Sequence, residues 1–259
     1  MDGGFFLRDY QRDATDAALK ENLLCVLPTN SGKTVIAAEV IFHKLREHEN
    51  KKVVFIAPKR TLALQQARLL LRHIGPLHLR SDERSNQKRE DPRWRLAIAS
   101  GATWVEDPGD LDAVSWRSAF VEAQCIVTTA ELFEHALTHG CGVRMDEIAL
   151  LVLDEAHALR GSSNYRTIMK YFYELAEQRP RVLGLTASPV EKPETTPPSR
   201  AQVREGLVEL QKNLDAQVCK SDSASPFAEY CPQTTAPAGP CASLAIALRV
   251  RCAGLVAPH

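Results

Sequence analysis

Short apolar, β-branched runs alternate with longer helical patterns along most of this chain, and that alternation predicts an α/β fold with a doubly wound, mostly parallel sheet. Two further observations support it. The strand-like runs are apolar throughout instead of alternating with polar residues, as expected where helices cover both faces of a sheet. The composition then changes: nine of the fifteen prolines and four of the seven cysteines fall within residues 189–259, which predicts an irregular C-terminal tail.

In chain order, the 3.6-residue periodicity places helices over Asp9–Lys20, Lys33–His48, Leu62–Ile74, Leu111–Ala123, Glu131–Thr138 and Tyr165–Gln178. The intervening apolar runs predict strands at Leu23–Leu27, Val53–Ala57, Leu96–Ala99, Cys125–Thr128, Leu150–Leu153 and Val182–Leu185. These elements make one domain over residues 1–190. Residues 191–218 read as a proline-rich linker followed by a short amphipathic helix with Val203, Leu207, Leu210 and Leu214 on one face, and residues 219–259 as a disordered tail.

Composition narrows the function. With 259 residues, 44% apolar and 25% charged, wholesale disorder is excluded. Lys+Arg 32 against Asp+Glu 32 gives zero net charge, so any hold on nucleic acid must come from local groups. No stretch approaches the ~18 apolar residues of a membrane span, and Asp2, Arg8, Asp9 and Arg12 interrupt the amino terminus. The expectation is a soluble protein without membrane contact, cytoplasmic or nuclear. The seven cysteines are never spaced Cys-x-x-Cys, which points to reduced thiols and against a thiolate metal site.

Four motifs carry chemistry. Pro28-Thr29-Asn30-Ser31-Gly32-Lys33-Thr34 follows a strand and opens a helix, the context in which backbone N–H groups converge on a phosphate. There Lys33 would reach the terminal phosphates and the Thr34 hydroxyl would hold Mg²⁺. Leu27 stands where the general pattern has its first glycine, and Asn30 takes a loop position often given to glycine. Asp154-Glu155-Ala156-His157 ends a second apolar run, where ligands bind in open α/β sheets. Asp154 can coordinate Mg²⁺, and Glu155 can orient and deprotonate water. Such a pair could equally cap a helix; its company with the phosphate loop favours the chemical role. Thr186-Ala187-Ser188 ends a third run, with two hydroxyls able to bond to the acidic motif. Gln11, upstream of the first strand, offers the donor and acceptor that match adenine's N6/N7 edge and would select ATP, or is simply a polar residue near a helix start.

In this order the motifs resemble the first RecA-like, ATP-binding domain of a superfamily-two helicase. The stretch from Thr129 to Val190 is similar to Dicer and the related RNA-sensing helicases. The matching residues are Met145-Asp146-Glu147-Ile148, Leu151 to His157, Tyr165, Ile168-Met169, Phe172-Tyr173 and Arg179 to Val190, with Glu209-Leu210 and Leu214 to Val218 further on. Ala158-Leu159 departs from the histidine the Dicer group usually repeats there. The resemblance covers residues 7–218. It implies ATP and Mg²⁺ as cofactors, with Lys33, Asp154 and Glu155 catalytic and His157, Thr186 and Ser188 coupling hydrolysis to movement. It also implies RNA contacts at Lys59, Arg60 and Thr61, within a stretch matching motif Ia, and at Thr128 and Thr129. Lys59 and Arg60 could otherwise belong to a solvated loop. The basic run Arg80, Arg84, Lys88, Arg89, Arg93 and Arg95 is interleaved with acids and reads as an exposed loop.

The resulting expectation is an ATP-dependent helicase or translocase domain acting on double-stranded RNA. No second RecA-like domain follows, so the arginines that stabilise the transferring phosphoryl group would come from a longer chain or in trans, and the 259-residue chain alone would be inactive or very slow. A catalytically dead ATP- or RNA-binding fragment, or regulatory decoy, is the alternative; a DNA translocase is a third reading.

Overall fold

Along each central strand, successive side chains pass to opposite faces of the sheet, and in this protein both faces are apolar. The structure, a computed structural model, describes residues 7–48, 50–81, 96–99, 123–139, 142–160, 163–190 and 199–219. The elements are α1 (Asp9–Lys20), β1 (Leu23–Val26), α2 (Lys33–Glu47), β2 (Lys52–Ala57), α3 (Arg60–Ser81), β3 (Leu96–Ala99) and β4 (Cys125–Thr129). There follow α4 (Ala130–Thr138), β5 (Ile148–Asp154), α5 (Asn164–Thr167), β6 (Arg181–Thr186), α6 (Arg200–Leu214) and β7 (Gln217–Val218). The strands form one seven-stranded sheet in the order β3-β4-β2-β5-β6-β1-β7, and every paired neighbour is parallel.

Leu23, Cys25, Val53, Phe55, Leu150, Val152, Leu183 and Leu185 face one core with α1, α2 and α3. Leu24, Val54, Ile56, Leu151, Leu153 and Val182 face the other, packed by α4, α5 and α6. A parallel sheet puts all its carboxyl ends on one edge, so the loops after β1, β5 and β6 are neighbours although far apart in sequence.

The structure departs from the sequence-based expectations in four places. Residues 199–218 are integral to the domain: α6 buries Val203, Leu210 and Leu214, and β7 extends the sheet beside β1. This helix starts earlier than Val203 because Ser199 and Gln202 form a reciprocal cap, with the Gln202 amide donating to Ser199 Oγ at 3.3 Å and the Ser199 amide to Gln202 Oε1 at 2.8 Å. It stops at Leu214 because Asp215 turns left-handed, at φ 51°. The pattern over Tyr165–Gln178 is one α-turn followed by a π-helix, Ile168–Tyr173, closed by the Glu174 amide on the Met169 carbonyl at 3.0 Å. The wider turn keeps Ile168, Met169 and Tyr173 all against the core. Finally, α3 opens at Arg60, because the Ala63 amide already bonds to the Lys59 carbonyl at 2.9 Å. The predicted helix Leu111–Ala123 and the basic run from Arg84 to Arg95 lie essentially outside the described residues, as does the tail beyond Cys219.

Asn22, just before β1, ties these pieces together. Its Nδ2 donates to the Tyr173 hydroxyl and the Asp215 carbonyl, both at 2.9 Å, while its Oδ1 accepts from the Val182 amide at 3.0 Å. Among the described residues no helix is long and apolar enough to cross a membrane.

Candidate active site

The loop between β1 and α2 is bent by two left-handed residues, Asn30 at φ 63° and Gly32 at φ 81°. Asn30 is thus the non-glycine residue that this loop's geometry tolerates best. Gly32 opens α2, so the helix dipole and the free amides of its first turn face the loop. The Lys33 ammonium donates to the Leu27 and Pro28 carbonyls, both at 3.0 Å, and so lies across the loop's mouth. The Ser31 hydroxyl is buried inside the loop without a hydrogen-bond partner, an orphan donor suited to an incoming anion. Thr29 and Asn30 are exposed, and Pro28 is half-buried.

Gln11 is brought to this loop. Its Nε2 donates to the Ser31 carbonyl at 3.2 Å, beside the Tyr10 hydroxyl on the same oxygen at 2.6 Å, and its Oε1 accepts from the Arg8 amide at 3.0 Å. A Cβ placed on Gly32 would collide with Gln11 Nε2, so glutamine and loop are in tight contact.

Across the edge, Asp154 ends β5 and is 7% exposed. Its Oδ1 accepts from the Glu155 amide at 3.1 Å, and its Oδ2 from Gln66 Nε2 at 3.1 Å. Gln66 Oε1 in turn accepts from the Thr34 hydroxyl at 2.9 Å. One side-chain amide therefore spans Thr34 and Asp154, the two oxygen donors expected to hold Mg²⁺. Burial, reinforced by the Glu155 charge, raises the Asp154 carboxyl to about 6, against the pull of the Glu155 amide, Lys33 and Gln66. A carboxylate so poorly solvated gains from a nearby cation.

Glu155 is held in the left-handed region, at φ 51°, a strained setting for a residue with a Cβ. Its carboxylate lies 3.2 Å from His157 Nδ1, which is also 3.0 Å from the Thr186 hydroxyl. Because that hydroxyl donates to the Ser188 carbonyl at 2.6 Å, Nδ1 must carry the proton and donate to Thr186 Oγ1. Ser188 returns its amide to Thr186 Oγ1 at 3.2 Å and donates its hydroxyl to the Val190 carbonyl at 2.7 Å. A continuous polar chain thus joins Glu155, His157, Thr186 and Ser188.

The candidate nucleic-acid residues share the same edge, since β2 and β4 are neighbours with Ala57 opposite Thr129. Lys59, Arg60 and Thr61 are exposed at the start of α3. Thr128 is fully buried, its hydroxyl turned toward the Thr129 carbonyl at 3.4 Å, and so offers no surface to a partner. Thr129, 8% exposed, starts α4, where backbone amides of the first turn remain available.

Two participants have roles that sequence reasoning does not assign, although Tyr165 is among the matching residues. Gln66 stands five residues beyond the quoted Lys59–Thr61 segment and meets partners 32 and 88 residues away. Tyr165 hydrogen-bonds the Asp154 carbonyl at 2.9 Å from beneath and fixes the strand end that presents the acidic pair. Burial pushes its phenol well above the ordinary range, so it stays a neutral donor.

A parallel sheet with a phosphate loop, an acidic pair and a hydroxyl motif on adjoining strand ends is the nucleotide-binding RecA-like architecture. Residues 8–196 match the DEAD/DEAH box helicase family, and the chain belongs to that family. It is 33% identical to Dicer-like protein 2 of Emericella nidulans over 223 residues, covering 84% of this chain and 13% of the relative. It is also 33% identical to an ATP-dependent DNA helicase of Candida albicans over 185 residues, or 71% of this chain and 13% of that protein. The fold is similar to the Hef helicase domain of Pyrococcus furiosus, with a TM-score of 0.62 and 27% identity over 85% of this chain and 40% of that one. The chain thus spans about an eighth of the length of the Dicer-like relatives it matches.

Proposed function

We propose that this chain is the ATP-binding domain of a Dicer-like helicase that couples ATP hydrolysis to binding and movement on double-stranded RNA. The observation that carries this reading is the convergence of Lys33, Thr34, Asp154 and Glu155 on one sheet edge, with the His157–Thr186–Ser188 chain leading away from it. Lys33 and the loop amides bind the phosphates, Gln11 contacts the loop from behind and recognises adenine, and Thr34 with Asp154 holds Mg²⁺. The cation, when bound, neutralises charge on the phosphates. Glu155 orients the attacking water and takes its proton. His157 then passes the change at Glu155 to Thr186 and Ser188, while Lys59, Arg60, Thr61 and Thr129 grip the nucleic-acid backbone without reading bases. Phosphoryl-stabilising arginines come from a second RecA-like domain, in a longer chain or in trans, and contribute about 10³–10⁵ in rate. The protein acts in the cytoplasm or nucleus.

The test is nucleotide binding by the purified chain. Lys33→Ala is expected to weaken Mg·ATP binding at least about tenfold, the worth of charge-assisted hydrogen bonds. Glu155→Gln should leave affinity within a few-fold while lowering turnover about 10²–10⁴-fold, as general-base removal does. Wild-type affinity that Lys33→Ala leaves untouched refutes the reading.

The similarity to a DNA helicase makes duplex DNA the competing substrate, and competition between duplex RNA and duplex DNA separates the two. As the second reading we propose a catalytically silent ATP- and RNA-binding fragment; RNA-stimulated turnover by the 259-residue chain would exclude it.

A further inference from the structure

We propose that Gln66 is a positioning residue that latches the two cation ligands, Thr34 and Asp154, and passes their release to α3, the helix whose first turn carries Arg60 and Thr61. The inference rests on the proposed nucleotide function and deepens it. Its basis is the bridge itself: the Thr34 hydroxyl donates to Gln66 Oε1 at 2.9 Å, and Gln66 Nε2 donates to Asp154 Oδ2 at 3.1 Å.

That geometry competes with a cation for the same two ligands. The amide N–H aimed at Asp154 Oδ2 places partial positive charge on an oxygen the cation would take, and the Thr34 hydroxyl is tied to the same amide through its proton. Cation binding at Asp154 Oδ2 therefore requires the amide to turn aside, which also releases the Thr34 hydroxyl; no bond is made or broken covalently. Turned about, Gln66 can present Oε1 as an acceptor to the cation's water shell.

The helix placement supplies the second half. Gln66 lies among Ala63, Ala67 and Leu70, each fully buried, so the polar amide belongs to the inward stripe of α3 and not to its solvent face. Six residues separate it from Arg60, about 9 Å along the axis at 1.5 Å per residue. A stiff, well-packed helix with small residues on its inner face transmits a change at Gln66 to Arg60 and Thr61 as a rigid shift.

The experiment titrates Mg²⁺ against the full chain and a fluorescent ATP analogue, with and without duplex RNA. Wild type, Gln66→Ala and the near-isosteric Gln66→Glu are compared, with folding checked by circular dichroism. Nucleotide affinity in EDTA should be the same in all three. The Mg²⁺ midpoint should fall about three- to tenfold in Gln66→Ala, the worth of the lost hydrogen bonds, and further in Gln66→Glu, whose carboxylate attracts the cation. The change that RNA causes in nucleotide affinity should shrink toward none in both variants. An unchanged midpoint in folded Gln66→Ala overturns the latch. A wild-type affinity indifferent to RNA, or RNA coupling intact in both variants, overturns the relay through α3. Failure of the wild type to bind Mg·nucleotide at all would instead refute the proposed function, so the two failures are distinguishable.

Discussion

Gly32 shows how little freedom the phosphate loop has. Its φ of 81° strains any residue with a Cβ, and a Cβ there would collide with the Gln11 amide. Gly32→Ala is therefore expected to cost about 1–3 kcal/mol through backbone strain alone. It should also displace Gln11, so that nucleotide affinity falls by more than the stability loss implies; chemical denaturation and ligand titration on the same preparation check both. The motifs in this loop and in Asp154–His157 were legible in the sequence because their chemistry depends on backbone conformation and on contiguous residues. The roles of Gln66, Tyr165 and Asn22 were not legible, because each acts through partners brought near only by the sheet. Thr128 illustrates the converse: a hydroxyl at a strand end reads as available, yet strand alternation turns it into the core.

At the level of elements, Asn22 does for the sheet edge what Tyr165 does for the acidic pair. One amide fastens β1 to β6 through Val182, to the π-helix through Tyr173 and to the α6–β7 turn through Asp215. Asn22→Ala removes all three bonds, although Tyr173 keeps its own to Asp215 Oδ2 at 3.2 Å, and the expected loss is about 1–3 kcal/mol, read as a lower denaturant midpoint at constant slope. The π-helix has a cause of the same kind. A plain α-helix over Tyr165–Gln178 was the natural expectation from spacing, but Tyr165 must reach the Asp154 carbonyl while Tyr173 reaches Asn22, and the wide turn places both. The two-residue strand β7 has too few residues for any periodic signature, so it escaped notice, whereas the six longer apolar runs were all recovered as strands.

For the whole molecule, the domain extends past the proline-rich stretch. Leu210 and Leu214 are fully buried, Gly206 packs against the Pro189 carbonyl and Val190, and Arg160 pairs with Glu209 at 2.8 Å. A chain ending at residue 190 would expose the face of β1 and β6 that α6 covers and leave β1 as a bare edge, a template for intermolecular pairing. Such a chain is expected to elute as aggregate in size-exclusion chromatography and to lose cooperative unfolding, while one ending at residue 219 should remain monodisperse.

The strand order has a consequence for biosynthesis. β1 is the first of the described strands to be made, yet among them it pairs only with β6 and β7, the last two. About 155 residues separate Val26 from Arg181, so at ribosomal speeds of about 5–20 residues per second β1 waits roughly 8–30 s for its first neighbour. During that interval β2, β4 and β5 can already assemble, because their mutual pairing needs nothing from either end of the domain. The nascent phosphate loop therefore gains its supporting strand late, which makes nucleotide binding a property of the finished domain and unavailable to its partly synthesised forms.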